Sequence, residues 1–282
     1  MKNNGIFVKK DVPEATDVVR GLLQCLSGKT LKVFVESGAA RDLGIKGYRG
    51  STIPSKVDII IVFGGDGTLL SVTRLVGKRS VPILGVNMGG LGFITEISKD
   101  EICRNVSIIL SGECEFEERI MLEADLFRNG KKIKWFNALN DVVINKSALA
   151  RMIELDIMIN RQDVTTIRAD GLIISTPTGS TAYSLSAGGP ILYPTLESFL
   201  VTPICPHTLT SRPIVLPDDF VFDIVVRNGD DVFLTIDGQE GCALKIKDRV
   251  SIKKADFKTR FLHFHDRDYF RVLRTKLKWG EW

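Results

Sequence analysis

The sequence predicts a Rossmann-like α/β fold with a mostly parallel sheet in the N-terminal part, followed by a mainly antiparallel, all-β C-terminal part. Strand-like and helix-like segments alternate up to about residue 110, which is typical of a parallel sheet covered by helices. From about Phe116, hairpin signals and alternating strands replace this pattern. We therefore expect an α/β domain over 1–115, a β-rich domain over 116–258, and a tail over 259–282 that packs back on the first domain.

Apolar periodicity predicts the individual elements. Strands are expected at 5–9, 31–36, 58–63 and 81–86, and helices at 12–26, after Thr68 and around 97–110. In the second part, Arg128-Asn129-Gly130 indicates a hairpin between 122–127 and 133–136, and residues 153–159 alternate like a half-buried strand. A second hairpin is predicted over 220–236, around Arg227-Asn228-Gly229-Asp230.

Composition limits the classes of partner. The net charge of +4 suits an anionic small molecule but is too small, and its lysines and arginines too scattered, to indicate nucleic acid. The five cysteines stand far apart without a Cys-x-x-Cys pair, so we expect reduced thiols that mostly serve in packing. The start lacks a secretory signal, and no apolar stretch approaches the ~18 residues that span a bilayer. A soluble, cytoplasmic protein without a membrane partner is expected.

A glycine turn, Gly64-Gly65-Asp66-Gly67-Thr68, directly follows the buried strand at 58–63. Glycines let backbone N–H groups approach an anion closely, and the start of the next helix favours negative charge. Asp66 would repel a phosphate unless a metal lies between them or the acid accepts a proton from an attacking hydroxyl. The turn therefore indicates phosphoryl transfer, with an Asp that caps the helix as the structural alternative. P-loop and Gly-x-Gly-x-x-Gly spacings are both absent here.

Two further segments carry chemistry. The glycine-rich stretch at 87–93 follows its own strand, and ligands of parallel sheets bind beyond the carboxyl ends of strands, so both turns are expected to face one crevice. The stretch from Arg168 to Pro190 offers hydroxyls, small residues and a tyrosine, which suit a sugar, a base or phosphates. An ordinary Ser/Thr-rich loop is the alternative. His207, His263 and His265 lack the spacing of a metal site, and none is expected.

Taken together, these motifs closely resemble those of the NAD kinase family, particularly its bacterial members. The resemblance runs from about Asp58 to Gln239, with motif order and approximate spacing intact. The Gly-Gly-Asp-Gly element is shared with phosphofructokinases and lipid kinases, whereas 176–190 combined with Asn140-Asp141 is far more specific. The matching motifs are Gly64 to Thr68, Gly85-Val86-Asn87, Leu91-Gly92-Phe93, Asn140-Asp141, Asp170-Gly171, 176–190, 211–217 and Asp237-Gly238-Gln239.

The resemblance implies phosphorylation of the 2′-hydroxyl of the adenosine ribose of NAD, with ATP as donor and NADP as product. Asp66 matches the family's proposed general base, and the alternative that it helps to hold the metal stays open. The donor phosphates would be held by Gly64, Gly65, Gly67 and Thr68. Mg²⁺, or another divalent metal, is expected mainly through the ATP phosphates. A homo-oligomer of two or four subunits is expected, while ATP versus polyphosphate as donor stays open.

The same resemblance implies a set of NAD-binding positions. They are Asp66, Gly67, Phe93, Asn140, Asp141, Arg151, Arg168, Asp170, Thr181, Ala182, Tyr183, Ser184, Leu185, Ser186 and Gln239. Surface charges are the alternative for Arg151 and Arg168. Many relatives carry a basic residue at the positions of Ser71 and Gly90, so the donor phosphates need other cations here, with Arg74 and Lys78 as candidates.

Two other functions stay open on the sequence. A lipid or sphingoid kinase shares the glycine-Asp turn, but it needs an apolar entry for acyl chains, which the polar segment 176–186 disfavours. A non-catalytic NAD(P)-binding sensor would have no need of Asp66.

Overall fold

The structure is a computed structural model that describes residues 1–10, 12–27, 30–112, 114–264 and 268–279. The chain divides into a first unit, Met1–Glu118 with Thr259–Trp282, and a second unit, Arg119–Lys258. The elements up to Ser111 are β1 (Asn3–Val8), α1 (Pro13–Leu26), β2 (Lys32–Glu36), α2 (Ser37–Leu43), β3 (Gly47–Tyr48), β4 (Ile59–Gly64), α3 (Asp66–Val76), β5 (Ile83–Asn87), β6 (Ile97–Ser98) and α4 (Ile102–Ser111).

Strands dominate the remainder of the chain. In order, its elements are β7 (Glu115–Arg128), β8 (Lys131–Ala138), β9 (Asp141–Lys146), β10 (Ile153–Ile159), β11 (Gln162–Ala169), β12 (Gly171–Ser175), α5 (Tyr183–Ser186), β13 (Ser198–Ile204), β14 (Ile214–Pro217), β15 (Phe222–Asn228), β16 (Val232–Ile236), β17 (Glu240–Leu244), β18 (Arg249–His263) and α6 (Tyr269–Leu277).

The first unit is built on a parallel sheet in the order β3-β2-β1-β4-β5. Every residue of β4 is buried, as expected for a central strand covered on both faces. Ile6, Leu22 and Phe63 are fully buried in the core that the strands share with α1 and α4. The strand order reverses between β1 and β4, and ligands of open α/β sheets bind at such a switch point. The glycine turn after β4 therefore begins at this point.

The last part of β18 and the helix α6 belong to the first unit. Phe261 of β18 lies opposite Ile83 of β5 in a parallel pairing. His263 lies with Nδ1 3.0 Å from the Glu96 carboxylate, while His265 falls outside the described residues. No group of three metal-binding side chains was found in the part of the chain that the structure describes.

Two antiparallel sheets form the second unit. One has the order β14-β13-β12-β9-β16-β17, and the other contains β11-β10-β15-β18, with β7 paired to β18 and β8. Alternate residues of both sheets share one core, in which Leu155, Phe199 and Phe222 are fully buried. The predicted hairpin around Asn129-Gly130 is confirmed as β7–β8. The predicted fold class, a mostly parallel α/β unit followed by an antiparallel β unit, is confirmed as well.

The second predicted hairpin is wrong. β15 pairs with β10 and β18, whereas β16 pairs with β9 and β17 in the other sheet. Gly229, between the two strands, has φ +142°, and a Cβ there would lie 2.6 Å from Ile153 Cγ2. The turn signal therefore marks a tight crossing between sheets. Each strand buries one apolar face in the shared core, a pattern that does not distinguish a hairpin from strands of two facing sheets.

The expectation of five reduced cysteines is also wrong. Cys25 of α1 and Cys103 of α4 form a disulfide, while Cys114, Cys205 and Cys242 are free. The two bonded residues are 78 positions apart, so local spacing gave no signal of the pair. They meet because α1 and α4 contribute to the same core of the first unit. In the described part of the chain, no helix has the length and apolar character required to cross a membrane.

Candidate functional site

The glycine turn is a tight link between β4 and α3. Gly64 ends the strand, Gly65 precedes the helix, and the Thr68 N–H donates to the Gly65 carbonyl at 3.0 Å. A Cβ at Gly64 would lie 2.5 Å from Thr68 Oγ1, so the turn leaves no room for a side chain there. Glycine is therefore required by close packing. The predicted helix is present, but α3 begins at Asp66, inside the turn, and not after Thr68.

Asp66 connects this turn to the second glycine-rich stretch. Its Oδ2 accepts a hydrogen bond from the Phe93 N–H at 2.8 Å, and its Oδ1 accepts from Ile94 and Thr95 N–H at 3.0 and 3.3 Å. A Cβ at Gly92 would lie 2.4 Å from Asp66 Oδ1, so the close approach depends on that glycine. The two turns meet, and the carboxylate is held in one orientation.

The alternative in which Asp66 caps the helix is wrong. Gly65 occupies the N-cap position, and Asp66 is the first residue of α3. Its carboxylate accepts hydrogen bonds from the backbone of Phe93, Ile94 and Thr95 at the end of the second turn. The acid therefore orients a loop, which a helix cap would not do.

A cavity of about 550 Å³ lies beside the glycine turn at the switch point between β1 and β4. Its charged side chains are Lys9, Lys10 and Glu36. The remaining lining residues are Phe7, Val8, Gly50, Gly65, Gly67, Thr68, Ser71, Val72 and Leu75. Sequence reasoning missed both lysines, although they follow β1 at the carboxyl end of the sheet. Arg74 and Lys78, the cations suggested by the sequence, are not among the lining residues.

A second cavity, of about 270 Å³, lies within the second unit. Four predicted NAD-binding residues line it: Asn140, Asp141, Ala182 and Tyr183. The other lining residues are Val143, Asn145, Thr235, Asp237 and Gly238. The structure thus brings together the Asn140-Asp141 pair and the start of α5, which are about 40 residues apart in the chain.

Asp237 determines the geometry of this cavity. It has φ +49°, and its carboxylate accepts hydrogen bonds from the backbone N–H groups of Leu139 (3.2 Å), Asn140 (2.8 Å) and Asp141 (3.2 Å). The sequence showed Asp237-Gly238 as part of a matching motif, but it did not assign the carboxylate a role. Its signal was an Asp-Gly pair directly after a strand, which is also typical of a simple turn.

Two of the polar side chains that line the cavity, Asn140 and Asp141, are available to a ligand. Burial, together with the negative charge of Asp237, raises the pKa of Asp141 to about 7. Asn140 Oδ1 is buried and has no hydrogen-bond partner among the described residues. Since buried polar atoms are nearly always paired in native proteins, this carbonyl oxygen and the Asp141 carboxyl indicate a site for a hydrogen-bonding ligand.

Hydroxyl groups of the Ser/Thr-rich segment form hydrogen bonds with the backbone of the residues that line the cavity. The Thr176 hydroxyl donates to the Leu139 carbonyl, and the Ser175 hydroxyl donates to the Asn140 carbonyl at 3.1 Å. A Cβ at Gly179 would lie 2.1 Å from the Asn140 carbonyl oxygen, so the backbones touch. The Ser184 and Thr202 hydroxyls bond to each other at 2.8 Å in the interior. The Ser175 and Thr176 hydroxyls therefore help to hold the backbone before Asp141 in place.

The remaining predicted NAD-binding residues do not line this cavity. Four of them are exposed, namely Arg151, Arg168, Ser186 and Gln239. Two are half-buried, namely Thr181 and Leu185. The Asp170 carboxylate lies 3.7 Å from Lys146 Nζ. In the first unit, Gly67 is exposed at the glycine turn, and the ring centroid of Phe93 lies 5.4 Å from Lys276 Nζ. Their roles stay predictions.

Comparison with known proteins identifies the family. Residues 5–114 match the ATP-NAD kinase N-terminal domain, and residues 139–264 match the ATP-NAD kinase C-terminal domain. The chain is 50% identical to an NAD kinase of Geobacter sulfurreducens and 49% identical to one of Syntrophotalea carbinolica, each over 100% of both chains.

Solved structures agree with this result. The crystal structure of yeast NADH kinase complexed with NADH superposes with a TM-score of 0.94 at 26% identity, covering 100% of this chain and 89% of that one. An NAD kinase from Archaeoglobus fulgidus in complex with ATP shares the fold, with a TM-score of 0.78 at 24% identity and 98% of each chain covered. With two matching domain models and full-length relatives near 50% identity, this chain belongs to the NAD kinase family.

Proposed function

We propose that the protein transfers the γ-phosphoryl group of ATP to the 2′-hydroxyl of the adenosine ribose of NAD, giving NADP and ADP. The observation that carries this proposal is the Asp66 carboxylate, fixed by three backbone N–H groups at the end of a buried parallel strand. Family membership supports the same reaction. The relatives and structural neighbours described above are NAD or NADH kinases and give no support to a lipid kinase.

Asp66 receives the proton of the 2′-hydroxyl as the phosphoryl group arrives. Its two oxygens accept three hydrogen bonds, and a carboxylate has about four acceptor sites, so one stays open to an incoming hydroxyl. The N–H donors fix the direction of the carboxylate. General base catalysis of this kind contributes about 10²–10⁴-fold, and correct positioning adds to it.

The glycine turn holds the donor phosphates, through Gly64, Gly65, Gly67 and Thr68. Mg²⁺ is proposed here as a partner of the ATP phosphates, whose oxygens are the hard ligands that it prefers. Bound in that way, the ion neutralises charge on the phosphates. Both carboxylate oxygens of Asp66 already accept hydrogen bonds from backbone N–H groups. This arrangement favours the proton-accepting role of Asp66 over direct metal binding.

The cavity of the second unit binds polar edges of NAD through Asn140 and Asp141. Tyr183 is 43% exposed, so its ring offers a face to a base or a ribose. Further NAD contacts are proposed at Phe93, Arg151, Arg168, Asp170, Thr181, Ala182, Ser184, Leu185, Ser186 and Gln239. On the basis of the family resemblance, the proposal also includes assembly into a homo-oligomer and a cytoplasmic location.

The test is an activity assay with purified protein, ATP and Mg²⁺, with either NAD or diacylglycerol as acceptor. NADP, detected by an NADP-specific dehydrogenase, should form only with NAD. Asp66→Asn should lower kcat by about 10²–10⁴-fold and leave NAD affinity largely intact. Asp100→Asn, which changes an exposed acid of the same unit, serves as the matched control.

Thermal unfolding accompanies the assay, because an amide nitrogen cannot accept the hydrogen bonds that one Asp66 oxygen accepts. A folded Asp66→Asn variant with wild-type kcat would refute the role of the acid. NAD binding without any turnover of the wild-type protein would instead favour the sensor function.

A further inference from the structure

Asp237 occupies the first central position of a tight turn between β16 and β17. Asp237 and Gly238 have φ values of +49° and +65°, and the Gln239 N–H donates to the Ile236 carbonyl at 2.9 Å. Two successive residues with positive φ define a hairpin turn for which Asn-Gly and Asp-Gly are both preferred. An asparagine would therefore serve the turn equally well, and the carboxylate needs another explanation.

The Asp237 carboxylate binds the backbone that leads into β9. Its Oδ1 accepts the Asn140 and Asp141 N–H groups at 2.8 and 3.2 Å, and its Oδ2 accepts the Leu139 N–H at 3.2 Å. These three consecutive N–H groups fix the direction of the backbone, and with it the directions in which the Asn140 and Asp141 side chains enter the cavity. Hydrogen bonds of this kind also stabilise the charged form of a carboxyl group.

Asp141 and Asp237 place two acids at one small cavity. Both are buried, with 4% and 7% of their surface exposed. Tyr183 is the other titratable side chain of the lining, and the described lining residues include no lysine, arginine or histidine. Two buried carboxyl groups without a cation in the lining are not both charged at low cost, so they share one proton.

The surroundings of the two acids assign that proton to Asp141. β12 places Ser175 opposite Asp141, and the guanidinium of Arg119, in β7, donates to the Thr178 hydroxyl at 3.2 Å. Burial and the negative charge of Asp237 together raise the pKa of Asp141 to about 7. Because its three N–H donors stabilise Asp237 as the anion, Asp141 is the member of the pair that holds the proton.

A protonated Asp141 changes what the cavity recognises. Its O–H group donates a hydrogen bond, whereas the buried Asn140 Oδ1, which has no partner among the described residues, accepts one. A donor next to an acceptor matches a ligand edge that carries one acceptor and one donor. The carboxamide and the aminopurine of NAD both have such an edge.

We propose that Asp237 is a positioning residue for NAD: it directs Asn140 and Asp141 into the cavity and keeps the Asp141 carboxyl protonated, as a hydrogen-bond donor to the dinucleotide. The inference rests on the proposed function, in which this cavity binds NAD, and adds that NAD binding takes up a proton at alkaline pH. Asp141 is ionised in the free protein at such pH, so binding must first restore its proton. The apparent Kd for NAD should therefore rise about tenfold from pH 6 to pH 8.

Calorimetric titration of the full chain with NAD, without a phosphoryl donor, tests the proposal between pH 5 and pH 9. The wild-type protein should lose affinity as stated, and runs at pH 8 in two buffers of different ionisation enthalpy should show uptake of about 0.9 proton per NAD bound. Asp141→Asn should remove both effects, because its amide donates a hydrogen bond at every pH and does not titrate. A wild-type affinity that is constant over this range, or binding at pH 8 without proton uptake, would overturn the proposal.

Asp237→Asn tests the residue itself. Asparagine tolerates a positive φ, and its carbonyl oxygen can still accept the Asn140 and Asp141 N–H groups, so the turn is kept while the negative charge is lost. The pH at which NAD affinity begins to fall should therefore shift below 7, whereas a merely structural role would leave that pH unchanged. Asp231→Asn is the matched control, since Asp231 also has a positive φ, of 50°, but is exposed.

Thermal unfolding shows whether each variant is folded, and the wild-type proton uptake gives a result that depends on no variant. A folded Asp237→Asn variant with the wild-type pH profile would overturn the role of Asp237. NADP formation together with a pH-independent NAD affinity would refute only this inference. A wild-type protein that makes no NADP from ATP and NAD would instead refute the proposed function.

Discussion

Replacing Asp141 with Asn tests the electrostatics of the cavity in the second unit. Burial and the neighbouring negative charge of Asp237 raise the pKa of Asp141 from 3.8 to about 7 in the folded protein. Between these values, the folded protein holds a proton that the unfolded chain has released. The free energy of unfolding therefore falls as pH rises, by about 1.4 kcal/mol per pH unit.

Over the three pH units involved, the loss attributable to Asp141 reaches about 4 kcal/mol. The stabilising proton is fully present below pH 3.8 and is lost as pH rises through about 7. The Asn side chain has nearly the same shape, carries no titrating proton and does not repel Asp237. The variant should therefore match the wild type near pH 4 and exceed its stability at pH 8.

The assay is urea unfolding at pH 4, 5, 6, 7 and 8, followed by circular dichroism. The difference between variant and wild type is the measured quantity, because it cancels the titration of other groups. Asp163→Asn, at an exposed position of β11, is the matched control and should give a difference that does not vary with pH. A flat difference for Asp141→Asn, or a variant that becomes less stable than the wild type as pH rises, would refute the argument.

Two further predictions concern packing and cross-linking. Gly179→Ala should cost about 1–3 kcal/mol and weaken NAD binding, because its Cβ would lie 2.1 Å from the Asn140 carbonyl oxygen. Gly21→Ala, inside α1 with no atom within 4 Å of its Cβ, should stabilise by about 1 kcal/mol; chemical denaturation measures both, and equal stabilities would contradict the packing argument. Cys25→Ser should lower the free energy of unfolding by up to about 4 kcal/mol, because the disulfide closes a loop of 78 positions. Thermal unfolding with and without dithiothreitol checks this, with Cys205→Ser as control; the same melting temperature under both conditions would contradict it.

The sequence was sufficient to predict those elements whose formation depends on neighbouring residues alone. The β-branched run of β4 and the glycines after it predicted a buried strand, a turn and a helix in the correct order, although α3 begins at Asp66 and not after Thr68. The meeting of the two glycine turns was predictable because both follow parallel strands. The position of Lys9 and Lys10 beside the glycine turn was not predictable, since it depends on β1 lying beside β4, which local patterns do not show.

Contacts between distant segments account for the other differences. Asp237 looked like an ordinary turn residue, because its three backbone donors come from a segment about 100 positions earlier. β15 and β16 each carry the alternation of a half-buried strand, and only the completed core decides which sheet each joins. The disulfide likewise depends on two helices that meet only after folding.

The first unit is discontinuous in sequence, and this bears on its biosynthesis. Residues from Thr259 onwards are synthesised after the whole second unit, yet they supply Phe261, which lies beside β5 of the first unit. Until these residues are synthesised, the nascent chain exposes that edge of β5 without its partner from β18, a state that favours intermolecular strand pairing. Chaperone dependence should therefore be greatest between synthesis of the first 118 residues and synthesis of Thr259 onwards, and truncation before Thr259 should yield insoluble product although both sheets of the second unit are largely present.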